Sequence, residues 1–214
     1  MFDLNPATLI SRVIVLVIAF TVHEFAHAWT ADRFGDPTPR MSGRLTLNPL
    51  SHLDPIGSLL LLVAGFGWAR PVPVNPYALS RRSSAALMWV SLAGPLSNLL
   101  LAVLGAIPLR LGLVSFQGMG SLSFLPTPYM LFTEFVYINL VLMLFNLIPL
   151  APLDGEKIAT YFFPPSLARV WDNIRPYGPM ILIAVVFIGP YMGLDLLYWI
   201  VWRPTMAVFS VLVG

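Results

Sequence analysis

Residues Leu9–Trp29 read LISRVIVLVIAFTVHEFAHAW, an apolar run that ends in two histidines and a glutamate. A helix of about 20 mostly apolar residues spans the hydrocarbon core of a bilayer, and this run is long enough. A signal peptide is the ordinary reading of an apolar N-terminal run. Here no basic segment precedes it and no small-residue cleavage pattern follows it. The stretch therefore predicts a retained transmembrane helix with polar groups inside it.

The composition agrees with a membrane chain. Hydrophobic residues make up 57% of the 214 residues and charged residues only 10%, whereas soluble domains carry about 25% charged residues. Mean hydropathy is +0.80. This balance excludes a soluble zinc peptidase. The net charge is +2, and no Lys/Arg cluster follows an aromatic stripe, which excludes a nucleic-acid partner. Cysteine is absent, so disulfides and cysteine-ligated metals are excluded as well.

Three further runs are long enough to cross: Ala85–Leu109, Tyr129–Leu150 and Pro179–Trp202. A fifth apolar stretch, Ile56–Trp68, has 13 residues and suits a re-entrant or partial element better than a full span. The tail Thr205–Gly214 is also too short to cross and reads as interfacial. The expected fold is an all-α polytopic membrane protein: four transmembrane helices, a short re-entrant or partial span, and an extended hairpin-like segment. It forms a single domain over 1–214, with a core at about 9–160 and a C-terminal span at about 179–202.

The charges choose between topologies. If 56–68 does not cross, Arg33, Arg40, Arg44, Arg70, Arg81, Arg82, Lys157, Arg169 and Arg175 share one side. Those are nine of the twelve Lys and Arg residues, and the positive-inside rule puts them in the cytoplasm. If 56–68 crosses as a true fifth span, that asymmetry collapses. The re-entrant reading, with an external N-terminus, is preferred.

After that element comes "RPVPVNP", residues 70–76. Its prolines forbid helix and leave extended backbone. Pro71 and Pro73 strip one edge of N–H donors, while Val72 and Val74 keep theirs on the other. The segment reads either as a loop packed over the bundle or as an edge strand that pairs with an extended peptide.

His23, Glu24 and His27 spell H-E-x-x-H. On a helix the two histidines share a face one turn apart and can clamp one Zn²⁺, and Glu24 lies beside them as a proton acceptor. Glu24 precedes Asp32 by eight residues, which places it ~12 Å inside the cytoplasmic helix end. Ionisable groups at such depth are costly and usually mark function. Catalytic zinc sites usually have three protein ligands, and His52, Asp54, Glu134 and Asp154 are the candidates for the third. Asp154 is preferred because Pro149 and Pro152 break the helix before it and Gly155 permits a turn. Its ordinary alternative is to cap the next short helix.

H-E-F-A-H in an apolar helix, followed by N-x-x-P-x-x-x-x-D-G at Asn146, Pro149, Asp154 and Gly155, resembles the site-2 protease family of intramembrane zinc metalloproteases. "GRLTLNPLSHLDPIG", "WARPVPVNP" and "AGPLSN" resemble its compact prokaryotic branch, which lacks PDZ and CBS domains. The likeness covers roughly residues 15–160. It implies one zinc per chain on His23, His27 and Asp154, with Glu24 as catalytic base. It also implies cleavage of membrane-spanning protein substrates within the lipid bilayer, in a prokaryotic cytoplasmic membrane, with the site toward the cytoplasm. Many relatives follow Asp-Gly with a small residue, whereas this chain has Glu156 and Lys157.

By the same resemblance Asn146 grips substrate backbone or the developing oxyanion, and Asn98 is a weaker candidate of that kind. Asn139, seven residues before Asn146 on the same helix face, reads as an ordinary interhelical contact. Ser91, Gly94 and Ser97 read as small residues for close packing. His52 is either a substrate-steadying group or a surface histidine, and Val72 and Val74 are the substrate-pairing candidates. A metal-binding transporter and a catalytically inactive membrane scaffold are the competing functions. Nothing in the sequence specifies an oligomeric state.

Overall fold

Several elements begin on an Asn-Pro or Thr-Pro step, where the first side chain caps the helix and proline takes the position that needs no N–H. The computed structural model describes residues 5–57, 60, 67–116 and 124–214. In it Asn5 accepts from the Ala7 N–H at 3.0 Å and opens α1, Pro6–Arg33. Asn48 accepts from Leu50 N–H at 3.1 Å at a single turn, Pro49–Ser51. Asn75 accepts from Tyr77 and Ala78 at 3.0 and 3.2 Å and opens α2, Pro76–Arg82. Helix α3 is Ala86–Arg110. Thr127 caps α4, Pro128–Asn146, through the Met130 N–H. Then follow α5, Asp154–Tyr161, α6, Pro165–Met192, and α7, Tyr198–Val213.

Among the described residues α1, α3, α4 and α6 are long and apolar enough to cross a membrane, so the all-α polytopic architecture holds. Helices α1, α3 and α4 pack against one another. The buried residues of α1 include Thr8, Ser11, Ala19, Thr21, His23, Glu24 and His27, while Val13, Ile14 and Ile18 face outward. Small and polar groups thus dominate the inner face, where Val15 and Phe20 are the large apolar exceptions, and other large apolar groups face outward. Between α3 and α4 a second layer joins Ala102, Ala106, Val136, Leu140 and Met143. There a Cβ on Gly105 would stand 2.6 Å from a Phe135 ring carbon, so this glycine sets how closely the two helices approach.

The C-terminal part differs from expectation. The fourth helix long and apolar enough to cross is Pro165–Met192, where 179–202 was expected. The helix breaks where Gly193 adopts a left-handed φ of 73°, a conformation that glycine takes without a Cβ clash. The tail is helical, Arg203–Val213. Val208, Phe209 and Leu212 of α7 pack on the α3–α4 core, and Arg110 donates to the Val211 carbonyl at 2.6 Å. Helix α4 ends at Asn146, four residues before the expected Leu150, because Pro149 cannot supply an N–H to the ladder.

Most of the expected re-entrant element, 58–59 and 61–66, lies outside the described residues. Its two ends are described and meet. Leu53 and Ala69 form an antiparallel bridge, and Gly57 packs so tightly on the Trp68 carbonyl that a Cβ would collide with it. The chain therefore leaves and returns at one place, and 67–75 follows as the expected extended segment.

Candidate metal centre

Helix α1 supplies His23 and His27 on one face, with ring centroids 4.6 Å apart at 85°. Helix α3 holds both rings from behind. His27 Nδ1 lies 2.7 Å from the Val90 carbonyl. A carbonyl only accepts, so the hydrogen sits on Nδ1 and Nε2 keeps a lone pair. His23 is fixed by a longer chain of groups. Asn139 donates to the Phe135 carbonyl at 2.8 Å, which turns its oxygen toward Asn98. The Asn98 amide donates to that oxygen at 2.9 Å and presents its own oxygen to His23 Nδ1 at 2.6 Å. His23 must therefore donate through Nδ1 and also keeps a lone pair on Nε2. Outer hydrogen bonds of this kind commonly orient metal-binding histidines.

Asp154 enters from below. Seven residues, including Pro149, Pro152 and a cis Ala151–Pro152 peptide, separate α4 from α5. Leu153 holds the cap position of α5 and makes no side-chain cap bond, so the Asp154 carboxylate is not spent on capping. Gly155 serves through space rather than turn geometry. It has no positive φ, but a Cβ there would collide with the Leu147 and Ile148 carbonyls.

His23 Nε2 and His27 Nε2 lie 3.0 Å apart, and Asp154 Oδ2 lies 3.1 and 3.2 Å from them. Neutral imidazoles with these tautomers leave no hydrogen inside the triangle, so three electron pairs face one another. A cation resolves that arrangement. Ligands at ~2.0–2.1 Å from a tetrahedral zinc stand ~3.3 Å apart, so the triangle suits one face of such an ion. The three residues form a buried group that could hold a metal.

Glu24 borders the same space, and its Oε2 accepts the Val72 N–H at 3.1 Å. The extended segment is pinned along its length. Arg70 N–H donates to the His52 carbonyl at 2.8 Å, and Arg44 donates to the Ser51 and Arg70 carbonyls. Buried Asp36 accepts from Asn75 N–H at 2.6 Å. A cavity of about 760 Å³ extends from the three-residue group past Val72, Val74 and Asn146 to Arg12 and Glu134.

The chain is 46% identical to "Putative zinc metalloprotease YwhC" of Bacillus subtilis, over 83% of this chain and 80% of the relative. The chain belongs to the site-2 protease family. It is a membrane metalloprotease. "Putative zinc metalloprotease Rip2" of Mycolicibacterium smegmatis is 32% identical over 87% of this chain and 73% of its own, and Rip2 of Mycobacterium tuberculosis is 30% identical over 86% and 70%. No protein-family model and no solved structure matches.

Within this metalloprotease the other expected residues divide. Asn146 and Val74 line the cavity, and Val74 N–H has no partner among the described residues. Val72 lines it too, but its donor is taken by Glu24. Asn98 is fully buried behind His23, where it positions a ring, and does not line the cavity. Asn139 is an interhelical contact as expected, and also a link in the chain to His23. His52 is neither at the surface nor in the cavity. It is fully buried in its loop, with Nε2 2.8 Å from the Thr46 carbonyl. Sequence reasoning missed Asp36 and Arg44 as supports of the extended segment, although each stands beside a glycine in a turn-rich stretch.

Proposed function

We propose that the protein is an intramembrane zinc endopeptidase that cleaves peptide bonds within or near the membrane-spanning segments of other proteins, in regulated intramembrane proteolysis. The observation that carries this reading is the triangle of three acceptor atoms, with a carboxylate beside it, opening into an apolar cleft among membrane helices. Zinc on His23, His27 and Asp154 would supply Lewis-acid charge beside the scissile carbonyl.

Glu24 takes a proton from the attacking water as oxygen adds to the carbonyl carbon. It returns that proton to the leaving nitrogen as the C–N bond breaks. The Val72 N–H keeps the Glu24 carboxylate aimed into the cleft. A helical substrate hides its carbonyls in its own ladder and must unwind locally. In the extended segment the open Val74 N–H offers a replacement partner, and the Asn146 amide borders the same space. The clustering of Arg and Lys residues supports a site toward the cytoplasmic face of a prokaryotic membrane.

The test pairs metal analysis with cleavage of a single-span substrate in proteoliposomes. Glu24→Gln should keep its zinc and lose about 10²–10⁴-fold in rate, the usual range for general base removal. Cleavage by that variant at the wild-type rate would sink the mechanism. Asp154→Ala should lower the zinc content, and unchanged zinc would remove Asp154 from the ligand set.

A further inference from the structure

The cavity has a second polar end that the cleavage chemistry does not use. Arg12 on α1 and Glu134 on α4 both line it. Arg12 precedes His23 by eleven residues on one helix, so it lies ~16 Å along the cleft from the three-residue group. The pair is a poor lock. Arg12 Nε stands 3.4 Å from Glu134 Oε1, whereas charge-assisted bonds run about 2.7–2.9 Å. Only Nε takes part. Among the described residues the Nη1 and Nη2 donors have no hydrogen-bond partner, and the Arg12 side chain is 37% exposed. A guanidinium inside a membrane helix with its fork open to a cavity has donors that the protein itself leaves unmet.

We propose that Arg12, beside Glu134, is a substrate-selecting subsite that binds an acceptor oxygen on the membrane segment being cleaved. The oxygen comes either from an Asn or Asp side chain or from a backbone carbonyl freed by a break in the substrate helix. The spacing fixes where it must lie. A distance of ~16 Å corresponds to about five residues of extended chain or about eleven of helix. The selected group therefore stands five to eleven residues from the scissile bond, toward the N-terminal end of α1. This inference rests on the proteolytic reading of the cleft.

The test uses the full-length Glu24→Gln protein in nanodiscs, so that binding is read without cleavage. The probes are single-span, leucine-rich peptides carrying one Asn, one Pro or neither, with the substitution moved along the segment. Binding should tighten about tenfold when the Asn or Pro enters the five-to-eleven window, the size expected for a hydrogen bond to a charged group. Arg12→Gln should flatten that scan and leave the all-leucine peptide unchanged. Arg12→Lys, with a point charge and no fork, should show a reduced peak, and its scan decides the matter if the Gln variant does not fold. A flat scan in the parent overturns the proposal. So does a peak that survives Arg12→Gln, or an equal loss for every peptide, which would make the pair a structural tie. Peptides that bind with the expected peak but are never cut by the Glu24-intact protein would defeat the proteolytic reading and leave the subsite standing.

Discussion

Gly94 of α3 lies against His27, and a Cβ there would collide with His27 Nε2 and stand 2.6 Å from His23 Nε2. The ring nitrogens that form the triangle can converge because this helix turn carries no side chain. Gly94→Ala must push one or both imidazoles away. Metal affinity should fall at least about tenfold, comparable to losses seen when groups behind metal ligands are altered. Chelator competition on the purified variant measures it, and unchanged affinity would show that the rings have room to spare.

Asn139→Leu should weaken metal binding without touching the cavity. Leucine cannot accept the Asn98 amide hydrogen, so Asn98 is free to flip and to present its NH₂ to His23. The expected loss is about 10–100-fold in affinity. Asn139→Asp keeps the acceptor for Asn98 and should lose less. Equal losses in both variants would count against the tautomer argument.

Asp36→Ala should act on substrate rather than on metal. It leaves the Asn75 N–H without its acceptor, which costs about 1–3 kcal/mol if that group stays buried, and it frees one end of the extended segment. KM for a membrane substrate should rise while zinc content stays at the wild-type level. A fall in kcat with KM unchanged would place the defect elsewhere.

The Glu156–Arg175 pair, at 2.6 Å, ties α5 to α6. Glu156 is buried, but Arg175 is 47% exposed, so solvent screening limits its worth. Arg175→Ala should cost about 1–3 kcal/mol, because it strands a buried carboxylate. Adding Glu156→Gln should recover part of that in thermal unfolding. The pair anchors the helix that carries Asp154.

The parts of this architecture legible in the sequence were those written in local pattern. Residues i and i+4 put His23 and His27 on one face. Pro149 and Pro152 announced the break before Asp154, and the expected bounds of α3 differ by a single residue at each end. What escaped depended on partners distant in sequence. Asn98 and Asn146 look alike as asparagines in apolar helices, and only packing sends one behind a histidine and the other into the cleft. His52 looked exposed because its loop is polar, yet Thr46 and Arg70 fold that loop around it. The run 179–202 is interrupted at Gly193, a short signal that the long apolar stretch outweighed.

The Phe135–Asn139–Asn98–His23 series has a consequence for the newborn chain. Phe135 and Asn139 belong to α4, Asn98 to α3 and His23 to α1, so the proton on His23 is assigned only once all three helices have docked. Asp154 arrives later still, on the far side of the α4–α5 break. During synthesis the two histidines of the triangle are thus made long before anything orients them. A partly inserted molecule lacks the ordered triangle, and helix assembly itself completes it.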